Sequence, residues 1–492
     1  MKESILFARR IGLVGVTQTI MNLRGIITLP ILTKTLGTSG YGIYAQILVT
    51  IGLLMQFIYL GLGASLLRFL PSKNKKEVAQ GISTVLFVVF FSGIIFSVLL
   101  FFSSVFFADV LIKDVSAVPV FQLASVLLTI QALESLSVNA FRIFGQIKRY
   151  SIIMLSKTFL EIGLISTFVL TGYDVVGVIF ALIISESVFL LVNLLLIVSH
   201  AGFTFPDFSL LRPYLVFGLP IVPIGIFEVV TSSTDRYIIG YFHGASSVGI
   251  YSAAYGIGVF ASMVGPFIIF ILGPTIANLY DKKEIDAVKS HLSLSFKYYL
   301  MLAIPSAFGI SILAKQLLSI LTTQEFASIS IYVIPLVASG VIFYGVYGMF
   351  GEAIKLSKRT YFITIAMGIA AILNVGLNII TVPYFGLIGA AFSTLLSYAL
   401  AAGVLFYKSR QCIKFDIKLS FILKSILASG AMTLIIWIFK PVDILTVLIS
   451  IVIGIIVYFF VLFILKGIEK QEVKTIVYAF GLGRLYEKIF SK

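Results

Sequence analysis

The apolar runs in this chain are too long and too numerous for the core of a water-soluble protein. Fourteen can be drawn, approximately at 11–33, 42–67, 81–108, 117–141, 151–171, 176–199, 214–241, 249–276, 292–313, 329–351, 361–381, 386–407, 419–439 and 443–465. Runs of about 20 residues match the roughly 30 Å hydrocarbon core of a bilayer. They are continuous, whereas a membrane barrel needs strands of about ten residues with alternating polarity. A chain that is 59% hydrophobic and 12% charged, with a mean hydropathy of +1.10, has too little charge to cover a soluble surface. The fold class is therefore all-α: a polytopic membrane protein of about 14 transmembrane helices.

A net charge of +15 would suit a nucleic-acid partner if it formed a patch. Its placement argues otherwise. Alternate connections carry 26 Lys and Arg residues on one side and only Lys34, Lys113, Lys315 and Lys440 on the other. That bias is the positive-inside rule, and it predicts both termini in the cytoplasm. We call the two sides the basic face and the opposite face; no nucleic-acid partner is implied.

The amino terminus, "MKESILFARRIG", lacks a small-residue cleavage site, so it reads as retained rather than as a signal peptide. The single Cys412 excludes an intrachain disulfide framework and a cysteine metal site. His200, His243 and His291 lie far apart near predicted helix ends, which suits interfacial anchoring better than catalysis. No Gly-x-x-x-x-Gly-Lys-Ser/Thr occurs and no metal-ligand spacing is present, so no cofactor is expected.

The chain also echoes itself. "GTSGYGIYA" from Gly37 returns as "GASSVGIYS" from Gly244, an offset of 207. Lys148-Arg149 returns as Lys358-Arg359 at 210, and Gly177 as Gly389 at 212. Three ordered matches at nearly one offset predict a duplication. The offset spans six helices, an even number, so both copies run in the same direction. The expected organisation is a six-helix lobe at 1–200, its repeat at 201–410, two additional helices at 411–466 and a cytosolic amphipathic tail at 467–492. Repeats related by an axis along the membrane normal place substrate between lobes and expose it alternately to each side.

"LPILTKTLGTSGYGIYAQ" (29–46), "GLGASLLRFLP" (61–71), "DRYIIGYFHGASSVGIYSAAY" (235–255) and "LNVGLNIITVPYFGLIGAAFSTLLSY" (373–398) resemble polysaccharide biosynthesis proteins of the O-antigen flippase type. These belong to the superfamily of multidrug, oligosaccharidyl-lipid and polysaccharide exporters. The resemblance implies two six-helix bundles around a V-shaped central cavity, the MATE-like fold. It implies movement of an undecaprenyl-pyrophosphate-linked oligosaccharide to the outer leaflet of the cell membrane, without covalent chemistry. Membrane lipids, a polysaccharide polymerase and glycosyltransferases are the partners such a role implies. Many members have twelve helices, whereas fourteen is more typical of the lipid II flippase.

Buried charge narrows the site. Arg24, Glu134, Lys157, Glu161, Glu186, Glu228, Asp235 and Arg236 fall inside drawn spans. At about 2.5–3.5 kcal/mol each at a lipid-facing helix centre, eight would cost on the order of 20 kcal/mol. They must face a wet cavity or one another. Arg24 has no acid in its own helix; it either holds a substrate pyrophosphate, which a guanidinium matches bidentately, or pairs with an acid elsewhere. Arg236 and Arg68 are supporting substrate-binding candidates, although Arg68 also suits headgroup snorkelling. Lys157 and Glu161, four apart, are expected to pair within one helix. Glu134 and Glu186 have no opposite charge near them in sequence, and with Glu161 they are coupling-ion candidates. Asp235 and Arg236 are adjacent and need not pair; Asp235 and Glu228, with Pro30, Pro220 and Pro223, are gate or structural candidates in helices that prolines can bend.

Competing readings are a lipid II flippase, a cation-coupled multidrug exporter and a non-transporting scaffold for a glycan synthase complex. The first drawn helix holds no acid between Arg10 and Lys34, which argues against drug export.

Overall fold

The computed structural model describes residues 2–71 and 73–468. Among these residues every regular element is helical. The first half of the chain contains α1 (Lys2–Tyr59), α2 (Leu62–Phe69), α3 (Lys75–Phe102), α4 (Val118–Ile143), α5 (Ile147–Leu170) and α6 (Asp174–Ala201). It continues with α7 (Leu211–Gly218), α8 (Val222–Val259), α9 (Gly265–Asp281), α10 (Ile285–Ile312), α11 (Ala314–Leu321), α12 (Gln324–Leu356) and α13 (Tyr361–Cys412). The last two are α14 (Leu419–Phe439) and α15 (Ile444–Ile464). The tail from residue 469 lies outside the described residues.

Three helices are too long for one crossing. α1, α8 and α13 contain 58, 38 and 52 residues. A straight helix of 52 residues would be about 78 Å long, against a core of roughly 30 Å. Each contains one glycine outside helical geometry: Gly37 (φ 67°), Gly244 (φ 78°) and Gly386 (φ 53°). Glycine enters the positive-φ region without the steric cost borne by other residues. At Gly244 and Gly386 the chain reverses. Thr381 and Ser393 flank Gly386 and their hydroxyls meet at 3.0 Å, although a straight helix would separate them by about 18 Å. Around Gly244, Arg236 Nε donates to Ser252 Oγ at 3.2 Å.

Among the described residues, ten helices are long and apolar enough to cross a membrane, or eleven if α10 and α11, bent by 69°, form one span. Their apolar sides are exposed in bulk: Leu195 is 70% exposed, Ile372 75% and Phe102 79%. In water such surfaces would aggregate; in lipid they are solvated.

Buried apolar residues form three clusters. One draws on α1 to α7, from Leu32 to Tyr214, and includes Ala245. A second runs from Leu272 to Leu462 and a third joins Leu29 to parts of α8, α12 and α13. The two terminal helices are integral to the second cluster, not a loose appendage. Tyr458 of α15 is 1% exposed, and its hydroxyl meets Ser425 Oγ at 2.9 Å and donates to the Met301 carbonyl at 2.9 Å. α15 begins at a capping box, Asp443 with Thr446. The Thr446 hydroxyl and N–H hold the Asp443 carboxyl below its ordinary pKa.

The glycine echoes mark close approaches. A Cβ on Gly42 would fall on the Ala245 carbonyl, and one on Gly249 would fall on the Thr38 carbonyl. The relation is reciprocal, and Thr38 Oγ1 meets Ser246 Oγ at 2.6 Å beside it. Gly177 backs onto Phe168, where a Cβ would come within 3.1 Å, and Gly389 backs onto the Thr381 carbonyl in the corresponding hairpin.

Candidate functional site

The first limb of α1 carries a polar row within its spanning segment. Gln18 and Asn22 are exposed and share a hydrogen bond, Nε2 to Oδ1, of 3.3 Å. Arg24 follows, and its side chain is 34% exposed. Exposed amides and a guanidinium at this depth face water rather than lipid, because hydrocarbon offers them no hydrogen-bond partner. Beyond Arg24 the helix becomes covered: Thr28 and Leu29 are buried.

Arg24 does not stand alone. Its Nη1 forms an ion pair with Glu161 Oε2 of α5, and Glu161 is 2% exposed. The open alternative for Arg24, a partner on another helix, is therefore present in the resting arrangement. The expected Lys157–Glu161 pair within α5 is not formed. Lys157 Nζ donates to Glu134 Oε2 of α4 at 2.6 Å and to Glu186 Oε2 of α6 at 2.7 Å. Neither Glu134 nor Glu186 is isolated, as the sequence spacing suggested; they share one ammonium. Four-residue spacing puts two side chains on one face, but stronger partners converge from two flanking helices. Asn193 of α6 completes the group, donating to Glu134 Oε1 and to Ser137 Oγ, each at 3.3 Å.

The cluster contains Arg24, Lys157, Glu134, Glu161 and Glu186: three acids against two bases. One formal negative charge is left over when all are ionised. Low dielectric makes such a residue of charge expensive.

The adjacent Asp235 and Arg236 pair after all. Arg236 Nη1 lies 3.2 Å from Asp235 Oδ1, because the guanidinium curls back along its own helix. It also donates to the Ser232 carbonyl at 2.9 Å, and its guanidinium carbon sits 4.4 Å from the Tyr255 ring centroid. The Tyr251 hydroxyl donates to Asp235 Oδ2. Asp235 is fully buried and Arg236 is 8% exposed, so neither lines an open surface. The pair clasps the two limbs of α8 across Gly244.

Around that clasp lies a polar seam in α13. Asn378 Nδ2 donates to Asn374 Oδ1 at 3.0 Å, and Asn374 Nδ2 approaches Thr394 Oγ1 at 3.4 Å. Both asparagines are fully buried. Uncharged residues are not singled out by a buried-charge argument; two Asn at i, i+4 inside an apolar run is the signal that identifies them in sequence.

The other predicted residues are dispersed. Arg68 is exposed on α2. Glu228 is half-buried on α8 and interacts electrostatically with Lys355. Pro30 lies inside α1. Pro220 sits in the 3-10 turn Leu219–Ile221 and Pro223 in the first turn of α8. At a helix start a missing N–H costs nothing, so these two prolines mark the α7–α8 junction rather than bend a continuous helix. The histidines serve local structure: His243 Nε2 meets the Val382 carbonyl at 2.9 Å and His200 Nε2 meets Gln146 Nε2 at 3.0 Å.

On the opposite face, contacts close over the site. Thr33 Oγ1 and Lys34 Nζ donate to the carbonyls of Leu321 and Ile320, each at 3.1 Å. Thr38 Oγ1 donates to Glu325 Oε1 at 3.0 Å and Ser39 Oγ to Asp114 Oδ2 at 3.2 Å.

Comparison with known proteins gives the following. The family described as polysaccharide biosynthesis protein matches residues 7–280, and a second, described as MatE, matches residues 220–380. A probable low-salt glycan biosynthesis flippase of Haloferax volcanii is 29% identical over 165 residues, 34% of this chain and 35% of that protein. A second probable flippase of the same organism, AglR, is 27% identical over 252 residues, covering 49% and 52%. The chain thus spans about a third to a half of the length of these relatives. Among solved structures, the lipid II flippase MurJ in an inward closed conformation superposes with a TM-score of 0.77 at 17% identity, over 91% of this chain and 97% of the other. An inward-facing multidrug resistance MATE family transporter of the MOP superfamily superposes with a TM-score of 0.67 at 17% identity, over 81% and 98%. At such identities the superpositions show the fold.

Proposed function

The chain belongs to the polysaccharide biosynthesis protein family, and from that premise we propose that it is a flippase. It carries a polyprenyl-pyrophosphate-linked oligosaccharide from the leaflet at its basic face to the opposite leaflet by alternating access. The basic face is cytoplasmic, the membrane is the cell membrane, and both termini are cytoplasmic. Counting each limb of α1, α8 and α13 separately turns eleven spans into fourteen. Residues 1–200 and 201–410 are two lobes; the reciprocal Gly42–Gly249 approach supports their pseudo-twofold relation.

The observation that carries the reading is Arg24. A guanidinium about one-third exposed in a spanning helix, flanked by exposed Gln18 and Asn22, is held by a nearly buried carboxylate. An incoming pyrophosphate offers it more oxygens and more charge than Glu161 does, so exchange of partners binds substrate and frees Glu161. Arg68 guides substrate at the basic face. Arg236 supports the lobe through its clasp with Asp235, and Glu228 and Pro30 belong to the moving helices. Glu134, Glu161 and Glu186 carry the coupling cation or proton, for which the surplus acid of the cluster leaves room. The glycan comes from glycosyltransferases and passes to a polysaccharide polymerase.

The test is genetic and biochemical. In a deletion strain, lipid-linked repeat units accumulate on the cytoplasmic leaflet; Arg24→Ala reproduces this at normal protein abundance. Normal surface glycan in the deletion strain, with no second flippase gene, overturns the function. Normal export by Arg24→Ala overturns the site alone. Glu134→Gln, Glu161→Gln and Glu186→Gln should each reduce the dependence of transport on an imposed ion gradient; an unchanged dependence in all three removes the coupling role.

A further inference from the structure

The two halves of the repeat carry different chemistry at equivalent places. The offsets of 210 and 212 that carry Lys148-Arg149 and Gly177 onto their echoes also carry Glu134 onto Tyr344 and Glu186 onto Tyr398. Where the first half holds two carboxylates around Lys157, the second holds an aromatic cluster. Tyr344 of α12 stacks on Tyr347 with ring centroids 6.0 Å apart and planes 16° from parallel, and it meets Tyr398 of α13 at 5.0 Å.

Tyr347 and Tyr398 are buried, whereas Tyr344 is 38% exposed. Among the described residues its hydroxyl has no hydrogen-bond partner. Tyr344 touches α13 and lies in electrostatic reach of Glu228 and Tyr255, one on each limb of α8. Its open edge is thus turned toward α8, the helix that meets α1. A Cβ on Gly225 of α8 would fall on Gln56 Oε1 of α1, and the Tyr237 hydroxyl donates to Thr50 Oγ1 of α1 at 2.9 Å.

Glu228 follows Gly225 by three residues and shares its face. It is half-buried and, among the described residues, forms no hydrogen bond or ion pair. The cation in its field, Lys355, donates instead to Glu352 Oε1 at 2.6 Å. Arg24 stands 13 residues before Gly37, and Glu228 stands 16 before Gly244, the equivalent break. At 1.5 Å per residue the two lie within about one helical turn of the same depth.

An open aromatic ring beside a carboxylate with no bonded partner suits an uncharged polyol. The negative ring face takes the C–H groups of a pyranose, and the carboxylate accepts from its hydroxyls. Phosphate is unsuited, because the carboxylate repels it.

We propose that Tyr344 and Glu228 form the glycan subsite of the transported lipid, taking an uncharged sugar ring close to the pyrophosphate held by Arg24. The assignment rests on the flippase reading and divides recognition between the two halves, the anion in the first and the polyol in the second. Glu228 disfavours a uronic acid at this position.

The experiment measures equilibrium binding to the purified full-length protein in detergent. One probe is the lipid-linked oligosaccharide extracted from the deletion strain; the other is sugar-free undecaprenyl pyrophosphate. The parent should bind the glycosylated lipid more tightly. Tyr344→Ala should weaken that binding about fivefold, and Glu228→Ala about tenfold, while neither weakens binding of the sugar-free lipid. Tyr344→Phe should bind the glycosylated lipid as the parent does. Should Tyr344→Ala not fold, Glu228→Ala, at a half-buried position, tests the same claim. Equal binding of the two lipids by the parent, equal losses for both in the variants, or no loss in folded variants overturns the subsite and leaves the flippase reading intact. A parent that binds neither lipid overturns that reading and the subsite with it.

Discussion

Lys157 decides more than its position in the chain suggests. It holds carboxylates from α4 and α6 at 2.6 and 2.7 Å while its neighbour Glu161 turns to Arg24. Lys157→Met would leave two acids facing each other without a cation. Breaking a buried pair on one side costs about 3–5 kcal/mol, so the variant should melt well below the parent in detergent. Adding Glu134→Gln and Glu186→Gln should recover most of the loss; failure to recover would mean that Lys157 acts by packing. At the proposed substrate site, Arg24→Ala should weaken binding of a pyrophosphate-bearing lipid analogue by about 10–100-fold, the scale of a lost charged hydrogen bond. Glu161→Gln releases the guanidinium and should bind the analogue as tightly as the parent or more tightly, which equilibrium binding measures directly.

Gly42 and Gly249 act through what they lack. Each allows the backbone of one helix to rest on a carbonyl of the other, and a side chain there meets Ala245 or Thr38. Gly42→Leu should hold the opposite face apart. In a Cys412→Ser background, Ser39→Cys should then react several-fold faster with a membrane-impermeant maleimide. Unchanged labelling would show that this contact is not a gate. The broken helices follow the same logic. Gly37, Gly244 and Gly386 sit at positive φ where the long helices break, and contacts across Gly244 (Tyr251 with Asp235) and Gly386 (Thr381 with Ser393) keep those limbs side by side.

In the whole molecule, α14 and α15 share a core with α10 although they lie outside the repeated segment. Tyr458→Ala should destabilise the protein by about 3–5 kcal/mol, as for other large aromatic truncations, and Tyr458→Phe by about 1 kcal/mol for its hydrogen bonds. Thermal melts in detergent distinguish the two. Truncation after Cys412 should abolish monodisperse protein, since it strips Met301 and its neighbours of their cover; a well-folded truncation would return these helices to the status of an appendage.

Length, apolarity and charge bias are properties of the chain read one stretch at a time. The all-helical membrane fold, the basic face and the glycine echoes were therefore legible in the amino-acid order. So was the need for Arg24, Glu134, Lys157, Glu161, Glu186, Asp235 and Arg236 to find partners, because desolvation penalises any of them left facing lipid. Which partner each takes was not legible. Asp235 and Arg236 pair where adjacency argued for separate roles, and Lys157 abandons Glu161 for two acids 23 and 29 residues away. Those choices depend on which helix faces meet. Packing of several helices at once sets that, and only the tertiary structure decided it.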